Sequence, residues 1–242
     1  MKQNMCLFVA FISCTALTAQ YPVKDLYIGL KGGLTYNYVN ENVSSIAFAQ
    51  TNGDIGLLLP SLQLLYRITP TMYFESGLEF VDMSRSIIRT GLFGGLFHTI
   101  TRRYLSVPVG IRLTTPGRFC LFVNHSFRVG YWLSARDSGE FINLSGIDEN
   151  SFTIKIDNQK YEFDTSYETD RKKDNRFHSS ACIGTGFMYD MRRWGLVQLG
   201  VDFYQGLTDL YRYEQKPEDM NSRYNSGAMI YLAYSYPIIK NR

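Results

Sequence analysis

The sequence lacks an excess of charge, a nucleophile motif and a calcium-binding loop. Its net charge is only +3, and its Lys and Arg residues are scattered along the chain, so we predict no nucleic-acid partner. It has three histidines, and no serine stands beside His98 or His178 in a recognisable nucleophile motif. The spacing of the acidic residues matches no calcium loop. We therefore expect a protein with no enzyme activity, no catalytic residue, no cofactor and no metal site.

The sequence also has no stretch typical of a membrane-spanning helix. The apolar stretch over residues 5–17 is too short to cross a bilayer. It follows a lysine and ends close to the small residue Ala19, which is the pattern of a Sec-type signal peptide. We predict that residues 1–19 form this signal and that the mature chain is exported. Lipoprotein processing at Cys14 is an alternative, which the bulky residue three positions before it disfavours.

Cysteine is scarce in the mature chain, where only Cys120 and Cys182 remain. In the strand assignment below, Cys120 opens one strand and Cys182 lies about eight residues from the same end of the neighbouring strand. At about 3.3 Å per residue, the two are roughly 25 Å apart, which is far beyond disulfide reach. We predict two unpaired cysteines.

Aromatic residues and glycine, by contrast, are abundant. The chain has 18 Tyr, 16 Phe and 20 Gly, a composition that suits β-structure and, in particular, a membrane barrel with aromatic belts. The clearest strand covers residues 104–113, where aliphatic side chains such as Leu105, Val107 and Val109 alternate with small, polar or charged ones. This alternation predicts a strand with one apolar and one polar face.

Similar alternation recurs eight times along the chain. The predicted strands cover residues 26–38, 55–68, 72–88, 104–113, 119–133, 176–191, 196–211 and 223–237. Long connections follow the odd strands and short ones the even strands, and most strands exceed the usual ~5–6 residues. Long strands, tight turns and long loops are typical of outer-membrane barrels. We therefore predict an all-β fold: over residues 20–242, an eight-stranded antiparallel transmembrane β-barrel of OmpA/OmpX-like size.

Charges on the polar faces decide whether the outside of this barrel meets lipid or water. A soluble, lipocalin-like barrel would turn its apolar face inward, but the charges are mixed in sign and suit a paired cluster inside a narrow barrel. Because eight strands leave room only for side chains, we predict a filled lumen, with a narrow conduit or gate as the alternative. The predicted lumen charges are Lys31, Arg67, Glu75, Glu79, Arg112, Arg128 and Asp202.

Two long connections contain the candidate interaction surface. Residues 89–99 carry apolar side chains at Leu92, Phe93 and Phe97, which we predict to form a partner surface. Residues 135–175 are predicted to be a long extracellular loop from which a hairpin turning at residues 157–159 projects. The acidic side chains of this loop are expected to be solvated, with binding of divalent ions from lipopolysaccharide as the alternative. They are Asp148, Glu149, Asp157, Asp164 and Asp170.

The three histidines are the remaining candidates for chemistry. His125 falls on the lipid-facing register of its strand, which favours a structural or interfacial role. His98 and His178 are expected near the extracellular rim, where a carboxylate would have to orient either ring for acid–base work. The carboxylates available for this are Asp137, Glu168 and Asp174.

Two prolines predict bulges in the strands, and two neighbouring residues are predicted to differ in how well they tolerate substitution. Pro60 and Pro108 lie inside predicted strands, and each is expected to mark a bulge because proline has no ladder donor. Val109→Arg on the lipid-facing side should be harmful, and Gly110→Ser on the polar side should be far milder.

Several strands resemble those of the PorT-like outer-membrane β-barrel family of Bacteroidetes. Residues 104–113 look like the Tyr-Leu-Glu-Ile-Pro-Leu-Leu strand of the family, with Ser106 in place of the usual acidic residue. Residues 29–34 and 77–80 are similar to the first and third strands, and residues 203–209 resemble the Tyr-x-x-Gly-Leu-Thr-Asn segment. The resemblance implies an outer-membrane barrel. Most members lack an assigned activity, and one founding member is similar to a component of type IX secretion.

These observations predict a non-enzymatic protein of the cell outer membrane that acts as a scaffold or interaction protein through its extracellular loops. Its expected partners are outer-membrane lipid, lipopolysaccharide and other envelope proteins, and the barrel is expected to be monomeric. A component of type IX secretion or envelope assembly, a small-barrel hydrolase and a narrow pore are the alternatives.

Overall fold

The computed structural model describes residues 25–40, 49–89, 96–148, 153–167, 174–210 and 223–239. The predicted signal peptide lies outside these residues. The strands are β1 (Asp25–Asn40), β2 (Ala49–Thr69), β3 (Met72–Arg89), β4 (Phe97–Thr114), β5 (Phe119–Asp148), β6 (Thr153–Tyr167), β7 (Phe177–Asp190), β8 (Leu196–Gly206) and β9 (Tyr224–Ile239). One turn of 3₁₀ helix, Arg192–Trp194, joins β7 to β8. Within the described ranges, no helix is long and apolar enough to cross a bilayer.

Eight strands close into a ring. Their order is β4, β3, β2, β1, β9, β8, β7 and β5, and β4 pairs in turn with β5, all in antiparallel register. Because the ring closes, the ladder of each wall strand is paired on both sides. The predicted eight-stranded antiparallel barrel is confirmed. Both cysteines of the described chain are free and buried, as expected.

The two ends of the barrel differ in the length of their connections. Short links join β2 to β3, β4 to β5 and β7 to β8, and we call this end the turn end. Longer connections join β1 to β2, β3 to β4, β5 to β7 and β8 to β9 at the opposite end, which we call the loop end.

The outer face of the barrel is a band of exposed apolar side chains. On β4, Val107, Val109 and Ile111 are between 42% and 49% exposed, whereas the alternate residue Arg112 is fully buried. The pleat of the strand enforces this division, because successive side chains point to opposite faces. A surface of this kind suits lipid rather than water. Other members of the band are Leu30, Leu34, Leu121, Val123, Phe127, Ile183, Leu199, Phe203, Ile230 and Leu232.

Aromatic pairs lie at both ends of this band. The rings of Phe119 and Phe187 stack 5.6 Å apart near the turn end, and those of Tyr131 and Phe177 meet edge-on at 5.5 Å nearer the loop end. About twelve residues separate Phe119 from Tyr131, so at about 3.3 Å per residue and a tilt near 40° the pairs lie about 30 Å apart along the barrel axis. This height matches the hydrocarbon core of a bilayer, which is about 30 Å thick.

One predicted bulge is present and the other is wrong. Around Pro60, β2 changes register against both β1 and β3. At Pro108, β4 keeps an unbroken register against β3 and β5, and its irregularity lies instead between Arg103 and Tyr104. Pro108 has no N–H to donate, and the pairing of β3 with β4 is interrupted opposite it, at Gly77 and Leu78. The register is the same on both sides of this interruption, so proline is tolerated there without a bulge.

The segment 135–175 differs from the predicted loop. Strand β5 runs on for 30 residues, and its extension pairs with β6 from Ala135↔Tyr167 to Asp148↔Thr153. The expected turn at residues 157–159 is therefore wrong, since these residues lie within β6 and the chain reverses between β5 and β6. Strand β4 also begins earlier than predicted, at Phe97 rather than Tyr104.

Candidate functional site

Four charged side chains from four strands form a ring of ion pairs in the lumen. Lys31 of β1 lies 2.9 Å from Glu79 of β3 and 3.3 Å from Asp202 of β8. Arg128 of β5 contacts the same two carboxylates, at 3.0 Å and 2.7 Å respectively. All four side chains are at most 4% exposed. Cations and anions thus alternate around a closed ring, and each charge has two partners.

A second group lies closer to the turn end. Arg112 of β4 lies 2.8 Å from Glu75 of β3, its guanidinium covers the ring of Phe122 at 4.3 Å, and it also bonds to Gln198. Gln63 donates to Glu75 at 3.0 Å. The neutral side chains that bond to the charges of both groups, or to one another, were not predicted from the sequence, although they alternate on the inward face of their strands. They are Gln63, Asn124, Gln198 and Ser235.

Arg67 does not join these six charges. It lies at the turn end, 3.7 Å from Asp25, and donates to the carbonyl of Pro70 at 3.0 Å. Its guanidinium also lies 5.6 Å from the centre of the Tyr73 ring. The predicted set of seven is therefore divided between a central group of six and one residue at the end of the barrel.

The central group is electrically balanced, with three cations and three anions. Taking a charge out of water costs several kcal/mol, and this cost is offset only where each charge meets an opposite charge and hydrogen-bond partners. Large buried side chains pack on either side of the group, including Tyr27 and Leu65 towards the turn end and Trp132 and Tyr104 towards the loop end. The arrangement is that of a packed polar core inside the barrel.

The histidines lie in three different environments. His125 is exposed on the outer face of β5, within the apolar band. The imidazole of His98 at the start of β4 lies 3.7 Å from a carboxylate oxygen of Asp137, which is too long for a hydrogen bond. His178 is buried in the lumen, and its ring centre lies 5.3 Å from that of Tyr104. None of the hydrogen bonds among the described residues joins His98 or His178 to a serine, threonine or cysteine.

The predicted loop surfaces are only partly described. Leu92 and Phe93 lie outside the described residues, and Phe97 is 42% exposed at the start of β4. Asp164 is exposed on β6, where it bonds to Arg136 of β5. This hydrogen bond lowers the pKa of the Asp164 carboxyl. Asp148 and Asp157 lie in β5 and β6 with side chains that are not described, and Glu149, Glu168 and Asp170 lie outside the described residues.

No group of three or more histidine, cysteine or acidic side chains within the described ranges could hold a metal ion. On the outer wall near the loop end, the apolar band gives way to a polar groove of about 550 Å³. There Arg103 binds Asp82 through two hydrogen bonds of 2.8 and 3.0 Å. The groove therefore marks the upper limit of the surface that suits lipid.

Comparison with known proteins finds similar solved structures but no matching family model or curated sequence. No model of a known protein family matches the chain, and no curated protein matches its sequence. Among solved structures, the chain is similar to the outer membrane protein OprG from Pseudomonas aeruginosa, with 11% identity, a TM-score of 0.44 and coverage of 90% of this chain and 98% of that chain.

Two further solved structures show weaker similarity. The attachment invasion locus protein Ail of Yersinia pestis is 10% identical with a TM-score of 0.39, covering 88% of this chain and 99% of its own. Neisserial surface protein A is 9% identical with a TM-score of 0.33, covering 86% and 96%. At these values, the barrel assignment depends on the strand pairing of the chain itself.

Proposed function

We propose that this chain is a non-enzymatic outer-membrane barrel protein that presents the β5–β6 hairpin to a partner protein. One observation carries the proposal: β5 extends beyond the wall of the barrel, and β6 pairs with β5 alone among the described strands. In this proposal the barrel anchors the protein in the membrane, and the hairpin binds the partner.

Placement in the outer membrane has three supports. The closed ring leaves no wall strand with an unpaired edge, which a lipid environment demands. The apolar band and its two aromatic pairs span about the thickness of a bilayer core. The signal peptide predicted from residues 1–19 adds an export route. Lipid and lipopolysaccharide are therefore the proposed surroundings of the band.

The filled lumen favours an anchor over a pore. Six charged side chains joined by five ion pairs, together with several aromatic rings, occupy the space that a solute would have to cross. Purified protein in planar bilayers should therefore show no stepwise conductance. Stepwise currents from the intact barrel would contradict the anchor role.

The hairpin suits a partner that adds a strand. The outer edge of β6 presents backbone donors and acceptors that no described strand uses, and such edges pair readily with an extended segment of another chain. Exposed charged residues of β6, such as Glu162 and Asp164, limit indiscriminate self-pairing. The proposed partner is an extended segment of another envelope protein.

A shortened variant tests this role. Residues 141–161 are replaced by Asn-Gly, so that the paired residues Glu140 and Glu162 are joined by a two-residue hairpin turn. The barrel should still fold, as judged by its heat-dependent shift in gel mobility. A photo-crosslinking residue at Tyr161 of the intact chain should trap a discrete partner in whole outer membranes, and one at Phe203 on the lipid-facing wall should not.

Arg136→Gln is the matched control, because it removes the exposed pair with Asp164 and leaves both strands in place. It should keep the crosslink at Tyr161, and excess soluble hairpin peptide should compete for it. The proposal fails if Tyr161 traps nothing, or if the partner identified by crosslinking binds the shortened variant as well as the intact barrel.

A role in type IX secretion or envelope assembly is a second candidate, supported by the PorT-like strand segments at residues 104–113 and 203–209. It predicts that deletion of the gene reduces the secretion of cargo proteins. Unchanged secretion in the deletion strain would remove this candidate.

A small-barrel hydrolase is a third candidate, favoured by the 3.7 Å approach of His98 to Asp137. It predicts that His98→Ala abolishes a lipid- or peptide-hydrolysing activity of the purified barrel. Equal activity of the wild type and the variant would remove it.

A further inference from the structure

Five inward-facing side chains meet near the loop end of the lumen, above the central ion pairs. Arg102 lies over the ring of Trp132 at 5.1 Å, and the Tyr104 ring lies 5.3 Å from that of His178. The Asn225 side chain and the charge of Arg102 both act on the Tyr104 hydroxyl. We call these five residues the rim cluster. None of them is more than 8% exposed.

The rim cluster contains buried donors without partners. Both ring nitrogens of His178 and the amide nitrogen of Asn225 have no hydrogen-bond partner, and neither does Nε of Arg102. Leaving such a group unsatisfied costs about 1–3 kcal/mol, and more where the group is charged. Native proteins therefore satisfy these groups with protein, water or ligand.

Arg102 differs from the arginines of the central group in having no ion-pair partner within the described ranges. Arg112 and Arg128 each have a carboxylate within 2.8 Å, whereas Arg102 forms no ion pair with any carboxylate among the described residues. Arg102 as a whole residue is nevertheless only 8% exposed. The buried carboxylate of Asp174, which has partners of its own, acts on the same Tyr104 hydroxyl as Arg102 but forms no ion pair with Arg102. A buried cation that is paired with no carboxylate is costly.

We propose that the rim cluster binds a small oxyanion, carrying a carboxylate or a phosphate, which enters from the loop end. Nε of Arg102 and the amide nitrogen of Asn225 can donate hydrogen bonds, and a neutral His178 imidazole donates through its one protonated nitrogen. A guanidinium is suited to two-point binding of either oxyanion. Arg102 is the most exposed of the five residues, while His178 at 2% and Asn225 at 1% lie deeper. The ligand thus meets the guanidinium first and the neutral donors behind it.

Binding at the rim cluster can be followed by the fluorescence of Trp132. The chain has two tryptophans; Trp132 lies beneath Arg102, and Trp194 is 59% exposed near the turn end. In a Trp194→Phe background, the fluorescence therefore reports on Trp132 alone. The folded barrel is titrated in neutral detergent with sodium phosphate and, separately, with sodium acetate, and sodium chloride keeps the ionic strength constant. A saturable change with at least one of the two anions is expected.

Two variants test which residues carry the binding. In the same background, Arg102→Gln should weaken binding at least about tenfold, the loss expected for a hydrogen bond to a charged group. Asn225→Ala makes a smaller change to the packing and should also weaken binding. Arg193→Gln is the matched control, because Arg193 lies 5.1 Å from the Trp194 ring, outside the lumen. It should leave the affinity unchanged.

The outcomes separate the two ligand classes. A response to phosphate alone or to acetate alone assigns the class, and a response to both assigns a general oxyanion site. The proposal is overturned if a folded barrel shows no saturable change with either anion, because the donors are then satisfied by water alone. It is also overturned if Arg102→Gln and Asn225→Ala both fold and bind as tightly as the parent.

Discussion

Strand β5 carries two arginine–aspartate pairs in opposite environments. Arg128 faces the lumen, where its contact with Asp202 at 2.7 Å leaves both side chains at most 4% exposed. Arg136 lies eight residues further along the same strand and binds Asp164, with side chains that are 72% and 48% exposed. The Arg128–Asp202 pair therefore belongs to the core of the barrel, whereas the Arg136–Asp164 pair lies on the solvent-exposed surface of the hairpin.

The largest effect is expected from the buried pair. Arg128→Met removes one of the two cations that face Glu79 and Asp202, and it should lower the free energy of unfolding by about 3–5 kcal/mol because two carboxylates lose a partner. Urea unfolding in detergent, followed by tryptophan fluorescence, measures this. The double variant Arg128→Met/Glu79→Gln, which leaves Lys31 paired with Asp202, should regain part of the loss. A loss below about 1 kcal/mol in the single variant would show that the ring does not stabilise the barrel.

A charge placed on the other face of the wall should come next. Val109→Arg puts a guanidinium into the apolar band and should cost about 2–4 kcal/mol near the bilayer midplane. Unfolding from lipid vesicles measures the cost, and Val109→Leu is the control that keeps the surface apolar. If the arginine variant were as stable as the leucine variant, the outer face would not lie in lipid.

Gly110→Ser, expected from the sequence to be mild, should prove harmful. An added Cβ at Gly110 would lie 2.4 Å from the carbonyl oxygen of His125 and 2.8 Å from Cα of Ser126, so the backbone of β5 must shift. Overpacking of this kind costs about 1–3 kcal/mol. Gly32→Ala is the control, since its Cβ would lie in ordinary van der Waals contact with the carbonyl oxygen of Leu58, at 3.6 Å. Equal stability of the two variants would contradict the tight approach of β4 to β5.

The smallest effect is expected from the exposed pair. Asp164→Asn should leave the unfolding midpoint of the barrel unchanged, because solvent screens the pair. The Arg136 hydrogen bond lowers the pKa of Asp164, so any contribution is present at neutral pH and is lost as the pH falls through the lowered pKa. Hydrogen exchange of the β5–β6 amides should therefore rise in the variant at pH 7 and match the wild type in strong acid. A shift in the global midpoint would show that the hairpin is coupled to the barrel.

Much of the fold could be predicted from the sequence because the barrel wall has a simple period. The alternation at residues 104–113 assigned Val107 and Val109 to the outer face and Arg112 to the lumen, as the structure has them. The extension of β5 was missed because residues 135–148 are polar and lack a clear alternation. These residues are held in a strand by backbone pairing with β6, which needs no apolar alternation in the sequence.

The candidate sites were predictable to different degrees. The charges of the central group could be predicted because they are charged residues on the inward face of their strands. Arg67 was wrongly placed among them because the height of a residue along the barrel axis depends on how the strands pair, which the sequence does not give. The rim cluster was missed. Arg102 lies before the predicted start of its strand, and the neutral Asn225 carries no charge to attract attention.

The sequence by itself determined which side chains face lipid and which face the lumen, because the strand pleat alternates them with a period of two. The tertiary structure alone decided which inward residues meet. Arg128 and Asp202 are 74 positions apart and Lys31 and Asp202 are 171 apart, and only the closed order and register of the strands bring them to the same level of the barrel. Side-chain direction is a local property of the backbone, whereas the matching of charges across a lumen depends on how every strand is staggered against the next.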